Sequence, residues 1–184
     1  MILKNGVAED DYGNLCYYIN GVQQYDTGVV EWEGDFYFVR SNGQLSTYGR
    51  TIEEDKTNGL IPAGTYEFNA ETCKMVMPLG TWFYNSDAKA MVSSLTGVTN
   101  LHAKVTFTAK ETGTATVIAA HYDKESGALI KLEFINTVAT TEGANTTYTT
   151  PSMNVTESET VKIYVWNGTE GLAPVMTAPA SIAK

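Results

Sequence analysis

Apolar and polar side chains alternate through residues 161–166, with Val161, Ile163 and Val165 on one face and Lys162, Tyr164 and Trp166 on the other. A period of two marks a strand with one buried face. The same pattern predicts strands at residues 105–108, 114–122, 129–138 and 146–150, the last continued by Val155. Gly113, Ser126-Gly127, Gly143 and Gly168 fall between them as turn signals. Short strands without a helical period predict a small Greek-key β-sandwich over residues 100–184.

The first half carries a different pattern. Residues 13–22 and 34–45 share one plan: a glycine, an aromatic strand, an Asn-Gly turn (Asn20-Gly21, Asn42-Gly43) and a short return. Asn-Gly tolerates positive φ at both central residues of a type I′ turn, so it is a strong hairpin signal. Residues 64–70 form a third, degenerate copy that turns at 69–72 instead. One hairpin cannot bury its own aromatic face, whereas stacked hairpins cover one another. The expectation is an all-β chain: an aromatic β-hairpin repeat array at 1–76, a joining segment at 77–99, then the sandwich. A single continuous β domain is the alternative. The one helical candidate is 87–95, with Ser86 or Asp87 as N-cap and Gly97 beyond its end.

Composition sharpens this division. Of 20 aromatic residues, 14 precede residue 93, whereas 18 of 25 threonines follow it. The net charge of −9 and the scattered cations argue against nucleic acid as a partner. No apolar run approaches the ~18 residues of a membrane span, so no membrane insertion is expected. The first residues lack the apolar core of a signal peptide. Together with the absence of a sorting motif, this suggests a piece of a larger protein, with other domains as partners, or a separate export route.

The order Val30, Trp32, Gly34, Phe36-Tyr37-Phe38, Gly43, Leu45 resembles the cell-wall-binding repeats, of choline- and glucan-binding type, of Gram-positive surface proteins. The resemblance spans roughly residues 4–76. It implies an extracellular or cell-surface location and a cell-wall polymer or glycan as partner. Choline-binding repeats box a quaternary ammonium between Trp rings. Here Cys16 and Phe36 stand before the strand aromatics and Trp32 is the only Trp of the segment, so choline does not carry over. Residues 115–123, 127–130, 161–166 and the Gly171-Leu172-Ala173-Pro174 tail resemble immunoglobulin-like or fibronectin-like modules of secreted Firmicutes proteins, which implies a spacer or adhesion role. Two readings of the aromatics stand side by side. Tyr17, Tyr18, Phe36, Phe38, Tyr66 and Phe68 can form the stacking core. Alternatively Tyr17, Tyr18, Trp32, Phe36, Tyr37 and Tyr66 include a platform on which sugar rings stack.

Motifs for chemistry are sparse. Glu31, Glu33 and Asp35 alternate, so on one strand they would share a face and could form a glycosidase pair. A solvated acidic face is the simpler reading. His121 and Asp123, with His102 elsewhere, fall short of a metal-ligand spacing. Glu9-Asp10-Asp11 lacks the rest of a calcium loop. No nucleophile elbow, P-loop or dinucleotide fingerprint occurs. No cofactor, metal or catalytic residue is therefore expected. Cys16 and Cys73 either pair, at ~4 kcal/mol of chain entropy, or remain buried thiols. Asn145-Thr146-Thr147, Asn154-Val155-Thr156 and Asn167-Gly168-Thr169 have the form of glycosylation sequons, without meaning in a bacterial protein.

Lys104, Lys131 and Lys162 lie in strands. Lys162 should point outward, and so should Lys131, with Ile130 and Leu132 on the core side. A solvated Lys keeps its proton, so no Lys–Asn crosslink is expected. The sum is a non-catalytic surface or secreted module for glycan or cell-wall attachment. The alternatives are a glycoside hydrolase fragment using Glu31, Glu33 or Asp35, and a structural surface or phage-fibre component.

Overall fold

The computed structural model describes residues 3–87, 89–168, 173–176 and 179–184, without the side chains of Phe134, Ile135 and Ala173. The tail motif 171–174 and the sequon at Asn167 lie partly outside the described residues. The fold is built of strands, and among the described residues no α-helix occurs. The chain divides into two compact units, Met1–Pro78 and Leu79–Lys184.

In the first unit β1 (Gly6–Glu9), β2 (Leu15–Ile19) and β3 (Val22–Gln23) form an antiparallel sheet. Asn20 (φ 50°) and Gly21 (φ 84°) make the β2–β3 turn with both residues left-handed, as the Asn-Gly signal requires. The strands β4 (Gly28–Trp32) and β5 (Asp35–Val39) then pair as a hairpin. That hairpin reverses at Glu33 (φ 51°) and Gly34 (φ 84°), not at the Asn-Gly expected for this copy. At Asn42-Gly43 only Gly43 is left-handed (φ 79°). There the Gly43 N–H donates to the Arg40 carbonyl (2.8 Å) and the Arg40 N–H to the Gln44 carbonyl (2.9 Å). This is the longer loop that follows a hairpin strand, and it folds Leu45 back onto Val39.

A 3₁₀ turn at Glu54–Lys56 precedes a further Asn-Gly, Asn58 (φ 52°) and Gly59 (φ 69°), whose signal the hairpin alignment leaves out. The strands β6 (Arg50–Ile52), β7 (Gly64–Phe68) and β8 (Met75–Val76) make the third sheet. Between β7 and β8 the chain turns at 69–72 as expected, because Asn69 Oδ1 accepts the N–H groups of Glu71 and Thr72.

Tyr37, Val39, Leu45 and Cys73 form a buried cluster, with Leu15, Tyr17, Val30 and Trp32 packed against it. Gly6 is indispensable there: φ is 74°, and a Cβ would stand 2.0 Å from Trp32 Cε2.

The second unit is two sheets face to face. One contains β9 (Gly80–Asn85), β10 (Ala90–Val92), β11 (Asn100–Thr108), β14 (Asn145–Thr149) and β15 (Met153–Asn154). Its order is β10-β9-β11-β14, with β15 also paired to β11. The other contains β12 (Gly113–Asp123), β13 (Leu129–Thr140), β16 (Glu159–Asn167), β17 (Ala173–Pro174) and β18 (Ala180–Ile182). Its order is β13-β12-β16-β17, and β18 also pairs with β16. Leu101, Ala103, Val105 and Phe107 of β11 meet Val117 of β12 and Val161, Ile163 and Val165 of β16 in one aliphatic core.

Four expectations require correction here. Residues 87–95 are not helical: β10 pairs with β9, and the Asp87 N–H donates to Asn85 Oδ1 in a turn rather than opening a helix. Residues 80–92, assigned above to a joining segment, supply two strands of the sandwich. The face assignment in β13 also fails. Register shifts between Ala119 and Ala120, and between His121 and Tyr122, displace the alternation, so Lys131 pairs opposite buried His121. Ile130 and Leu132 stand 51% and 50% exposed instead of facing the core. Lys104 departs from the solvated expectation as well, being only 1% exposed.

Candidate functional site

The first unit contains a cleft of about 220 Å³ lined by polar and apolar side chains together. Asn14, Arg40, Gln44, Thr47 and Glu71 are the polar ones, and Leu15 with buried Leu45 and Cys73 the apolar ones. Local turn chemistry puts each wall in place. Asp10 Oδ1 accepts the N–H groups of Tyr12 (2.8 Å) and Asn14 (2.9 Å), and Asp10 Oδ2 accepts from Asn14 Nδ2 (3.0 Å). These bonds hold the Asp10 carboxyl below its ordinary value and fix the loop that presents Asn14. The loop closed between Arg40 and Gln44 presents those two side chains, and the Asn69 turn presents Glu71. Burial raises the Cys73 thiol above its ordinary value, which keeps it protonated and unreactive at neutral pH.

Beside the cleft stands Tyr48, half exposed. The Arg40 guanidinium carbon lies 5.4 Å from the Tyr48 ring centroid and that of Arg50 lies 5.7 Å from it, while Arg50 is also 4.3 Å from the Phe38 ring. Such cation–π contacts fix the rings and the guanidinium groups against one another. The composition carried a signal for this group that the aromatic alignment missed. The chain has only two arginines, and both flank Tyr48 within ten residues of each other.

The six aromatics of the sequence platform are not brought together as one open surface. Tyr18, Phe36, Tyr37 and Tyr66 are buried; Tyr17 and Trp32 are half buried against the cluster around Leu45. Burial raises the phenols of Tyr37 and Tyr66, and the Tyr66 hydroxyl donates to the Pro62 carbonyl (2.8 Å). Among the described residues the exposed rings are instead Tyr12, Tyr25 and Tyr48.

The acidic row is dismantled by the hairpin. Because the chain reverses at Glu33-Gly34, Glu31 lies on β4, Glu33 in the turn and Asp35 on β5, where it is ion-paired with Lys74 at 2.6 Å. One strand face bearing all three carboxylates does not exist.

The histidines are separate too. His102 stacks on Tyr84, with ring centroids 5.1 Å apart. His121 is buried inside the sandwich, its Nδ1 2.6 Å from Glu159 Oε2 and its Nε2 3.7 Å from Glu133 Oε2, with Lys131 2.6 Å from Glu133. The Asp123 carboxylate is engaged elsewhere, accepting the N–H and hydroxyl of Ser126. No cluster among the described residues suits a metal ion. Cys16 and Cys73 are both free thiols. Leu15 and Tyr17 pack toward the cluster that contains Cys73, so Cys16, between them on β2, points the other way.

No family model matches the chain, and no curated protein matches it.

Proposed function

We propose that the chain is a non-catalytic module of the cell surface or of a secreted protein that attaches to glycan or cell-wall polymer through its first unit. The observation that carries this reading is the cleft: residues bearing amide, guanidinium, hydroxyl and carboxylate groups line it together with Leu15, Leu45 and Cys73, beside a half-exposed tyrosine. Sugars present the complementary surface, hydroxyls around the ring edge and C–H groups on its faces, so they take side-chain hydrogen bonds and aromatic stacking together. The three small sheets support reading the first unit as an aromatic hairpin array of cell-wall-binding type. For the second unit, the strand order β9-β11-β14 facing β13-β12-β16-β18 supports a fibronectin-like spacer.

The test is retention of the full chain on purified cell walls and insoluble glycans. Retention that falls at least fivefold in both Thr47→Ala and Gln44→Ala, with unchanged thermal unfolding, is the expected result. Absence of retention on every preparation overturns the reading. The alternative, a self-assembling surface or fibre component, is favoured by Leu129, Ile130 and Leu132, exposed on or beside an edge strand of the sandwich. It predicts ordered oligomers on sizing in the absence of any glycan.

A further inference from the structure

Among the described residues Lys56, Lys74, Lys131 and Lys184 are each paired with a carboxylate, while Lys4 and Lys162 lie over the rings of Tyr18 and Tyr122. Neither arginine forms an ion pair or donates a side-chain hydrogen bond among the described residues, although the chain offers 21 carboxylates. Their partners are aromatic rings: Tyr48 for both, and Phe38 for Arg50. Buried Nε of Arg50 has no hydrogen-bond partner. A guanidinium held by a ring keeps its in-plane N–H donors, and that planar fork matches the two oxygens of a carboxylate or phosphate.

We infer that Arg40, Arg50 and Tyr48 form an anion subsite at the edge of the cleft, which selects polymers bearing carboxylate or phosphate groups, such as polyuronate or polyol phosphate, over neutral glycans. The inference rests on the glycan-attachment reading and specifies its ligand class. Arg40 joins the two features, because it lines the cleft and contacts Tyr48. Tyr48 supplies a half-exposed ring for the sugar or polyol carbons, and the guanidinium groups take the charge. Two acids stand nearby. Glu71 is in the cleft wall, and Glu67 rests against Gly49, where a Cβ would lie 2.5 Å from its carboxylate oxygens. Neither reaches an arginine closely enough to form an ion pair, so the donors are not consumed. Two isolated cations in a chain of net charge −9 favour a short-range, bidentate grip rather than a broad electrostatic attraction.

The test uses the full chain with polygalacturonate, poly(glycerol phosphate) and a neutral glucan in parallel, by affinity electrophoresis and calorimetry. The expected result is binding to at least one polyanion at least tenfold tighter than to the glucan. Arg40→Gln should lose about tenfold of that affinity, and Arg40→Lys should lose nearly as much, because the charge remains and the fork does not. Lys124→Gln, matched in charge and located in the second unit, should lose none. Arg50→Gln is read only where its thermal unfolding matches the parent, since Arg50 packs on Phe38. Preference between the carboxylate and phosphate polymers names the source of the anion. Equal binding of neutral and anionic polymers, or polyanion binding unmoved in Arg40→Gln, overturns the anion subsite and leaves glycan attachment standing. Failure to bind any of the three, or any wall preparation, overturns both.

Discussion

The two units solve the same problem with opposite means. The second has long strands, with 9, 11 and 9 residues in β11, β12 and β16, and these present rows of Val, Ile, Leu and Ala to a facing sheet. Among the described residues, no strand of the first exceeds five residues. Strands so short cannot build a layered aliphatic core, so their burial comes from a few large rings and from turns that hold small sheets in register. The left-handed residues follow this division. Among the described residues, Asn20, Glu33, Asn58 and Cys73 adopt positive φ in the first unit, and only Lys89 does so in the second, glycines aside. The first unit is specified by its turns and the second by its core. Turns also expose polar groups in fixed positions, which is why the candidate site belongs to the first unit.

This contrast can be broken most sharply in the cores. Ile163→Ala removes three buried carbons from the continuous core of the sandwich and should cost that unit about 3–5 kcal/mol. Leu45→Ala, in the small cluster with Tyr37, Val39 and Cys73, should cost the first unit about 2–3 kcal/mol, because a small cluster can relax around the cavity. Urea unfolding followed by amide signals of each unit measures both, and equal costs would remove the distinction. Turn specification is tested next. Gly6→Ala puts a Cβ into Trp32 at positive φ and should cost about 2–4 kcal/mol. Gly34→Ala, with φ 84° and open space around it, should cost only about 1 kcal/mol of backbone strain. A small effect at Gly6 would show that Trp32 is free to move aside.

The smallest expected difference is in alkaline stability. In the first unit burial raises Cys16, Tyr18, Tyr37, Tyr66 and Cys73 above ordinary values of 9.0 for the thiols and 10.0 for the phenols. Among described groups of the sandwich, Tyr164 is raised in this way, to about 12, by burial and by the Tyr122 hydroxyl. A raised group stays neutral in the folded state while the unfolded chain ionises. Its contribution is therefore whole below about pH 9 and is lost as pH rises through the folded values. Between pH 8.5 and 11 the first unit should lose stability more steeply than the second. Parallel slopes, measured by urea titration across that range, would contradict the assignment of the rings and thiols to its interior.

How much of this was legible in the chain depends on the range of the interaction involved. Asn20-Gly21 predicts its turn because positive φ is a property of those residues themselves. The rows Val161, Ile163, Val165 predict their buried face because period two is a property of the extended backbone. Asn58-Gly59 carried the same information as Asn20-Gly21 and was hidden only by an alignment built on aromatics. Glu33-Gly34 carried less, since Glu has no intrinsic preference for the left-handed region, and its turn is imposed by the pairing of β4 with β5.

The sequence by itself therefore determined the all-β class, the strands expected at 114–122, 129–138 and 161–166, which the structure extends by one to two residues at their ends, and the turn at Asn69, all set by local backbone preferences and period-two alternation. The tertiary structure decided what depends on distant partners. It converted residues 80–92 from a joining segment into paired strands, because β9 finds its ladder on β11. Two register shifts against β12 turned Lys131 toward His121 and left Ile130 and Leu132 in solvent, an inversion that no single-strand pattern contains. It separated Glu31, Glu33 and Asp35 by reversing the chain between them. It also gathered Asn14, Arg40, Gln44 and Glu71 around one cleft, from segments that alternation along any one of them cannot relate. Each strand's pattern fixes which faces need burial, but only the pairing of one strand with another fixes what those faces meet.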